Sequence, residues 1–190
     1  MTLLDVGGSP GLGGEWGALR AKFCQTHVVN LQLEANWLVT EQNVIYVQAN
    51  GCDLPYPDKS FDWVFSNAVL EHVGGAKDQL RFCWEMQRVA RIGYFLSTPN
   101  RAFFLDPHTY LPFYHRMPEW MQRHVVKLAP AHRNEWRYFR LVGANELQEM
   151  LPGAEVKSIG PLGVNLVAWG REDVRQGLDL EDFAMRVEEA

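Results

Sequence analysis

The sequence of 190 residues is 47% hydrophobic and 22% charged, and its formal net charge is −5. These values are typical of one globular domain with a hydrophobic core, and the negative charge argues against a general nucleic-acid binder. The three cysteines (Cys24, Cys52 and Cys83) are widely spaced and form no metal-ligand pattern, so we expect reduced thiols and no metal site. Because the sequence shows no signal segment and no apolar run that could span a membrane, we expect a cytoplasmic protein.

Hydrophobic periodicity and turn residues predict alternating strands and helices. The predicted strands are 3–6, 27–33, 44–48, 61–66, 92–97, 154–159 and 165–169. The predicted helices are 15–23, 78–90, 144–151 and an acidic, amphipathic 171–190. Strands that alternate with helices at this interval form parallel βαβ units, and helices then cover both faces of the sheet. The sequence therefore predicts an α/β, doubly wound fold.

A turn of small residues follows the first predicted strand, 3–6. It contains Gly7, Gly8, Ser9 and Gly11. Small residues at this point let a ligand approach the backbone, and the N-terminus of the next helix offers unpaired N–H groups. In a doubly wound sheet such a turn lies at the carboxyl ends of the strands, where ligands bind. Turns of this kind also serve dinucleotides and phosphates, so the turn alone leaves the ligand open.

The end of the second predicted strand is the expected place for a group that binds ribose hydroxyls. A carboxylate suits this task because it only accepts hydrogen bonds and can accept two at once. The sequence offers Gln32 at this position and Glu34 two residues later, on the same side of the strand. We expect either residue to bind ribose, Gln32 more weakly than a carboxylate would.

The segment 50–73 carries the most specific pattern of the sequence. An adenine ring needs an acceptor for its amino group, a donor for a ring nitrogen and an apolar slot. Asn50 or Asp53 can accept the amino group, and the backbone N–H of Gly51 or Cys52 can donate. Leu54 can pack against the ring, and the prolines that follow it restrict the turn. If the ligand carries an adenine, this segment would form the loop that binds it.

Together these motifs resemble those of the class I S-adenosylmethionine-dependent methyltransferases. Asp5, Gly7 and Gly11 match the first motif of that family, an acidic residue followed by glycines at alternate positions, whereas Ser9 stands where a glycine is usual. The segment 50–73 resembles, nearly position by position, the UbiE-like (methyltransferase type 11) group. The resemblance implies a Rossmann-like, mostly parallel seven-stranded sheet with the last strand antiparallel, and S-adenosylmethionine as the cofactor.

The resemblance also implies roles for individual residues. Asp5 would hold the glycine-rich loop or reach the methionine amino group indirectly. The backbone from Gly7 to Gly11 would lie against the methionine and ribose of the cofactor. Ser66 and Asn67, at the end of the fourth predicted strand, are expected beside the point of methyl transfer.

An aromatic and basic insertion, residues 101–140, follows the fifth predicted strand. It carries seven Lys/Arg and three Asp/Glu, a local charge of +4. The stretches 98–101 and 106–112 resemble a pattern in methyltransferases of polysaccharide and cell-envelope biosynthesis. Because an insertion at this position would cover the methyl-transfer side of the site, we expect a small-molecule, glycan or lipid-linked acceptor, and the positive charge favours an anionic one.

The sequence thus predicts one domain over 1–190. Its parts are a cofactor-binding half (1–100), the substrate-side insertion (101–140), and closing strands with a C-terminal helix (141–190). Within the insertion, 118–128 has the pattern of an amphipathic helix with Trp120, Met121, Val125 and Leu128 on its apolar side. We expect this helix to cover the core, with contact to a membrane surface as the alternative.

The predicted function is methyl transfer from S-adenosylmethionine, at an oxygen atom of the acceptor. A hydroxyl acceptor benefits from a base, and histidine has a suitable pKa near 6.5. His108 is the candidate because it lies in the insertion, while Glu71 and His72 are interpreted as packing or structural groups.

Two other functions remain open at this point. A nicotinamide-dependent oxidoreductase uses a similar sheet, but it has no need for the second motif at 50–73. A catalytically silent methyltransferase-like binding module is the other alternative, because Ser9, Gln32 and Asn50 depart from the family pattern. No helix-forming residues precede the first strand in the sequence, so we also expect an open site, in a short form or a fragment.

Overall fold

A computed structural model describes residues 1–10, 15–33, 43–130 and 139–171. In these residues, seven β-strands alternate with four α-helices. The strands are β1 (Thr2–Val6), β2 (Gln25–Asn30), β3 (Val44–Gln48), β4 (Phe61–Asn67), β5 (Ala90–Pro99), β6 (Glu155–Ile159) and β7 (Asn165–Arg171). The helices are α1 (Glu15–Arg20), α2 (Ala76–Val89), α3 (Glu119–Val125) and α4 (Ala144–Met150). Short 3₁₀ helices span Leu70–His72, Tyr114–Arg116, Val126–Leu128 and Pro161–Gly163.

The strands form one mixed sheet in the order β3-β2-β1-β4-β5-β7-β6. β1 pairs in parallel with both β2 and β4, and β4 pairs in parallel with β5. β7 lies between β5 and β6 and is antiparallel to both. The predicted seven-stranded, mostly parallel sheet with an antiparallel last strand is therefore confirmed.

Helices pack on both faces of the sheet, as predicted. On one face, Leu80 and Met86 of α2 join Leu4, Val64 and Leu96 of the strands in a core from which water is excluded. The apolar residues of α2 recur at helical spacing, so burying this one face of the helix contributes most of its stability. α4 packs on the same face of the sheet as α2.

The opposite face of the sheet carries α1. Leu19 of this helix and Phe23 beyond it line an apolar groove with Leu3, Trp63 and Phe95 of the strands. β1 thus contributes alternate residues to the two faces, as a strand covered on both sides must.

The second strand lies earlier in the sequence than predicted. The predicted strand was 27–33, but β2 spans Gln25–Asn30, and Leu31 beyond it is 64% exposed. Pairing with β1 ends at Val29, whose carbonyl accepts the N–H of Gly7 at the start of the turn. The apolar run in the sequence outlasts the strand because Leu31 continues it after pairing has stopped.

The segment 118–128 is helical, but it does not cover the core with the predicted side chains. α3 ends at Val125 and continues as a 3₁₀ turn, and its residues Trp120 and Leu128 are 65% and 76% exposed. Val126, not counted on the predicted apolar side, is the buried residue of this segment. No helix among the described residues is long and apolar enough to cross a membrane.

The C-terminal helix predicted over 171–190 falls almost wholly outside the described residues. Arg171, its first residue, is the last residue of β7 instead.

Candidate active site

A cleft opens at the carboxyl ends of β1, β2, β3 and β4. β1 and β4 are neighbours although the chain forms β2 and β3 between them, so the direction of strand addition reverses here. Open α/β sheets bind ligands at such reversals because the loops on the two sides diverge. Most side chains that line the cleft are apolar, among them Val6, Leu31, Val69, Val73 and Phe82. An apolar slot with backbone polar groups at its rim suits a nucleoside.

A buried ion pair holds the turn after β1 from behind. Asp5 and Arg20 are 4% and 5% exposed, and Nε and Nη2 of Arg20 donate to Oδ2 of Asp5 at 3.0 and 2.6 Å. Nη1 of Arg20 also donates to the Ser9 carbonyl at 3.2 Å. Burial raises the pKa of Asp5, and the guanidinium opposes this rise. Asp5 therefore holds the loop, one of the two roles that the sequence implied for it.

Close packing explains why glycines begin this turn. Gly7 has φ +83°, and a Cβ there would lie 2.3 Å from Cγ2 of Val69. A Cβ on Gly8 would lie 2.6 Å from Oδ2 of Asp5, inside the ion pair. Ser9 is not among the described residues with a positive φ, so a serine at this position causes no strain of the backbone. Gly11 lies outside the described residues.

The polar residue that reaches this turn from β2 is Asn30, which the sequence did not single out. Nδ2 of Asn30 donates to the Gly8 carbonyl at 3.0 Å, and its Oδ1 accepts the N–H of Gln32 at 3.3 Å. Gln32 itself is exposed and is not among the residues that line the cleft. Glu34, the other ribose candidate, lies outside the described residues. Because β2 ends earlier than predicted, the polar residue at the end of this strand is Asn30, whereas the sequence analysis expected Gln32 there.

Asn50 and Gly51 form the wall of the cleft after β3. Oδ1 of Asn50 accepts the N–H of Cys52 at 2.9 Å, which closes the turn. A Cβ on Gly51 would lie 2.5 Å from Cε2 of Phe82, so glycine permits α2 to pack against this loop. Asn50 therefore shapes its own loop while it also faces the cleft.

The other predicted adenine contacts lie behind this wall or on its exposed side. The Cys52 thiol donates to the Asp78 carbonyl, and burial raises its pKa to about 11, so it is a neutral packing group. Leu54 is 4% exposed, and its N–H donates to Oε2 of Glu85 at 2.7 Å. Asp53 is exposed, and its N–H donates to the Asn50 carbonyl.

Ser66 and Asn67 end β4, as predicted, but they play different parts. Ser66 is fully buried, and its hydroxyl donates to the Val6 carbonyl at 2.9 Å. This hydrogen bond joins the ends of β4 and β1 beneath the cleft. Asn67 is exposed at the strand end, and Ala68 after it turns with φ +54° and lines the cleft.

Two histidines from distant parts of the chain meet at one side of the cleft. His72 lines the cleft, and its Nε2 lies 3.2 Å from Nε2 of His108. Phe139 packs against the His108 ring with the ring centroids 4.2 Å apart. Asp106 is fully buried, and its Oδ1 accepts the backbone N–H of His108 at 3.0 Å, which fixes the loop that carries the ring. The insertion thus brings His108 against His72, although His108 itself is not among the residues that line the cleft. His72, which the sequence analysis interpreted as structural, does line it.

The carboxyl group of Glu71 lies beneath this histidine pair. Glu71 is 1% exposed, and burial raises the pKa of its carboxyl group to about 7 although Thr98 donates a hydrogen bond to it. Oε1 of Glu71 is 4.0 Å from Nε2 of His72. A buried carboxyl group with a raised pKa therefore lies near the imidazole of His72. The sequence analysis interpreted Glu71 as a packing group and did not anticipate this neighbour.

Three predicted cofactor-binding residues, Gly7, Asn50 and Gly51, line the cleft directly. The remaining described candidates shape the loops around it. The sequence contained no signal for Arg20, because an arginine at the end of a helix is common. The pairing of His72 with His108 was equally hidden, because 36 residues separate them.

Comparisons with known proteins agree with this geometry. Residues 4–97 match the family model described as a methyltransferase domain. The fold is similar to an S-adenosylmethionine-dependent methyltransferase from Mesorhizobium loti, with a TM-score of 0.62, 15% identity, and 90% of each chain covered. A methyltransferase from Methanosarcina mazei of the same description gives a TM-score of 0.59 at 14% identity, covering 90% of this chain and 92% of that one.

A third similar structure is a chain in the complex between the Haloferax volcanii Trm112 methyltransferase activator and a methyltransferase. Its TM-score is 0.61 at 16% identity, with 93% of this chain and 84% of that chain covered. No curated protein matches the sequence significantly. The matched motifs in residues 4–97, the sheet order and the position of the cleft identify the chain as a class I S-adenosylmethionine-dependent methyltransferase, whose cofactor is S-adenosylmethionine.

Proposed function

We propose that this enzyme methylates a hydroxyl oxygen of a small-molecule, sugar or lipid-linked acceptor, and that His108 takes the proton of that hydroxyl. The observation that carries the proposal is the position of His108, whose Nε2 lies 3.2 Å from that of the cleft residue His72. A hydroxyl needs help to lose its proton at neutral pH, and an imidazole is suited to accept it.

The cleft fits the cofactor in shape and in polarity. When bound, S-adenosylmethionine supplies a methyl group that is already activated on a sulfonium. The backbone of Gly7 offers the close approach that the methionine and ribose need, because any Cβ there is excluded. Leu31 and Val73 supply apolar surface, and Asn50 with Gly51 supplies polar groups for the adenine. Of the two ribose candidates, Gln32 directly follows the cleft residue Leu31 in the sequence.

The remaining candidates are proposed as supports of these contacts. Asp5, Gly8 and Ser9 set the path of the glycine-rich turn, with Gly11 completing the motif, and Cys52, Asp53 and Leu54 set the path of the adenine loop. Ser66 and Asn67 fix the strand end beside the methyl group, and Glu34 is the second ribose candidate.

In the reaction, the protein must align the acceptor oxygen with the methyl carbon and exclude water. The oxygen–carbon bond forms while the carbon–sulfur bond breaks, and the hydroxyl proton passes to His108. Phe139 against the His108 ring keeps that ring in place and reduces its contact with water.

Charge on the insertion supports an anionic acceptor. Arg101 and Arg116 are exposed there, and Nη1 of Arg101 is 3.3 Å from Oε2 of Glu146, which positions it. Arginine binds phosphate and carboxylate groups through two parallel hydrogen bonds. Exposed Trp120 and Leu128 give the same segment apolar surface, which supports contact with a membrane surface if the acceptor is lipid-linked. We expect no nucleic-acid partner and a cytoplasmic location.

Calorimetric titration with S-adenosylmethionine and S-adenosylhomocysteine, with NADH as the control, tests the cofactor site. We expect binding of both sulfur compounds at about micromolar Kd and none of NADH. The absence of binding to both sulfur compounds would favour a silent binding module over an enzyme.

Transfer of radiolabelled methyl groups to uronic acids, sugar phosphates and neutral sugars tests the acceptor class and the role of His108. We expect His108→Ala to lower turnover about 100-fold or more with cofactor affinity unchanged. His124→Ala, which removes an exposed histidine of the same insertion, is the matched control. If His108→Ala leaves turnover intact, the role proposed for His108 is wrong.

A further inference from the structure

Three potential metal ligands converge at the acceptor side of the cleft. Nε2 of His72 is 3.2 Å from Nε2 of His108 and 4.0 Å from Oε1 of Glu71. One ligand atom from each residue lies within 4.8 Å of the other two. Because His72 also lines the cleft, the point of convergence adjoins the space in which methyl transfer is proposed to occur.

This arrangement differs from a chain of proton transfers. In a relay through an imidazole, a proton enters at one ring nitrogen and leaves from the other, since each nitrogen holds either one proton or one lone pair. Here the same nitrogen of His72 faces both His108 and Glu71. A single cation requires such convergence, because it accepts the lone pairs of all its ligands at one point.

We propose that Glu71, His72 and His108 bind one divalent transition-metal cation. Two imidazoles and one carboxylate are the ligand set of open catalytic zinc sites and of non-haem iron sites. Two nitrogens that each lie about 2.1 Å from one tetrahedral zinc ion are about 3.4 Å apart, close to the separation found here. The carboxylate must approach the imidazoles by about 1 Å, which rotation of its side chain allows.

Groups outside the three ligands hold them in this geometry. The Thr98 hydroxyl donates to Oε2 of Glu71 at 3.1 Å, which leaves Oε1 directed toward His72. Asp106 accepts the backbone N–H of His108, and Phe139 packs on its ring. Metal ligands in proteins are regularly oriented by such neighbouring hydrogen bonds. The sequence analysis predicted no metal site from the spacing of the cysteines alone. His72 and His108 are 36 positions apart in the sequence, which matches no short ligand spacing.

This inference rests on the proposed methylation of a hydroxyl and replaces the proposed role of His108 as the base. Three protein ligands leave a tetrahedral cation one further position, which an acceptor hydroxyl can approach. A neighbouring cation lowers the pKa of that hydroxyl. Its proton then passes to water while the oxygen–carbon bond forms and the carbon–sulfur bond breaks. With a cation present, His108 acts as a ligand instead of taking the proton itself.

Calorimetric titration of the EDTA-treated full chain with ZnCl₂ tests the site. The titration uses a Cys24→Ser background, because Cys24 is an exposed thiol that could bind zinc elsewhere. We expect one zinc ion per chain with a Kd of about 1 μM or lower. Glu71→Gln, His72→Ala and His108→Ala should each weaken binding at least about 10-fold, and Thr98→Val about 10-fold. His124→Ala, the exposed control, should bind zinc like the parent chain.

Absence of stoichiometric zinc binding, or binding that none of the three ligand variants weakens, overturns the metal site. Cooperative unfolding of each variant in urea verifies that it is folded, and His108→Gln replaces His108→Ala if the latter is not. The two proposals fail separately. If the metal-free chain methylates a hydroxyl as fast as the zinc-loaded chain, the proposed function stands. The proposed activation of the hydroxyl by a cation is then wrong. A chain that binds zinc through these residues but neither sulfur compound keeps the metal site and refutes the proposed function.

Discussion

The two sides of the cleft are built from different parts of the chain. On the cofactor side, the wall consists largely of backbone and small residues, with Gly7 and Gly51 pressed against Val69 and Phe82. On the proposed acceptor side, long side chains meet, as in the contact between His72 and His108. A wall of backbone depends on the path of the chain, whereas a cluster of side chains depends on the identity of each residue.

This difference explains how the cofactor side can depart from the family pattern. Ser9 occupies the place of a usual glycine without a positive φ, and Gln32 lies outside the residues that line the cleft. Neither residue is among those that line the cleft. These two substitutions were among the reasons to consider a catalytically silent binding module. Their positions in the structure therefore weaken that alternative.

The largest effect is expected where the backbone wall is held by a buried charge pair. Arg20→Met leaves the Asp5 carboxylate buried without its guanidinium partner, which costs about 3–5 kcal/mol. Urea unfolding should show this loss. Because the pair as a whole contributes less than its members separately, Asp5→Leu combined with Arg20→Met should be more stable than Arg20→Met alone. Equal stability of the parent and Arg20→Met would contradict the role of the pair.

A smaller but local effect is expected at the first glycine of the turn. Gly7→Ala requires a left-handed backbone at alanine and places its Cβ against Val69, which together cost about 2–4 kcal/mol. We expect lower stability and weaker binding of S-adenosylhomocysteine by calorimetry. Gly75→Ala is the matched control, since a Cβ there meets nothing within 4 Å. Adding Val69→Ala to Gly7→Ala should restore part of the loss, and no restoration would argue against the steric cause.

The hydrogen bond beneath the cleft should contribute about 1 kcal/mol. Ser66→Ala removes the donor to the Val6 carbonyl, which then lies buried without this partner. The free energy of unfolding should fall by this amount with little change in cofactor affinity. Ser60→Ala, at an exposed turn, should change stability less. A loss of cofactor affinity larger than the loss of stability would assign Ser66 a direct contact instead.

The smallest effect should be a gain of affinity at the adenine wall. Asn50→Asp keeps the acceptor for the Cys52 N–H and adds a second acceptor oxygen for the adenine amino group. We expect binding of S-adenosylmethionine to tighten about 3-fold, which corresponds to about 0.6 kcal/mol. Gln32→Glu is the comparison, since Gln32 is exposed and outside the cleft lining. A larger gain from Gln32→Glu would indicate that the ribose hydroxyls bind at Gln32.

Sequence patterns were reliable where a strand is buried and ends at a turn. β4 was predicted over 61–66 and spans Phe61–Asn67, because its apolar run is bounded by a turn before it and polar residues after it. The glycine-rich turn was equally predictable as a turn, because glycines directly after a buried strand permit conformations and close contacts that other residues do not. These features are local, so a single stretch of sequence contains the necessary information.

Features that depend on pairing between distant segments were not predictable. The end of β2 is set by hydrogen bonds to β1 and β3, and Leu31 extends the apolar pattern beyond them. The convergence of Glu71, His72 and His108 likewise depends on how the insertion folds back over the sheet. Trp120 is a second example. Its helical spacing with other apolar residues predicted a buried side chain, whereas the structure leaves it exposed.

The position of β7 between β5 and β6 has a consequence for synthesis of the chain on the ribosome. β6 emerges before β7, yet among the described strands it pairs with β7 alone, and of these strands it is β7 that covers the edge of β5. Until 165–171 leave the exit tunnel, β5 has an open edge that can pair with other nascent chains. A stalled or prematurely terminated product that lacks β7 should therefore aggregate, although it contains the whole of the cofactor wall.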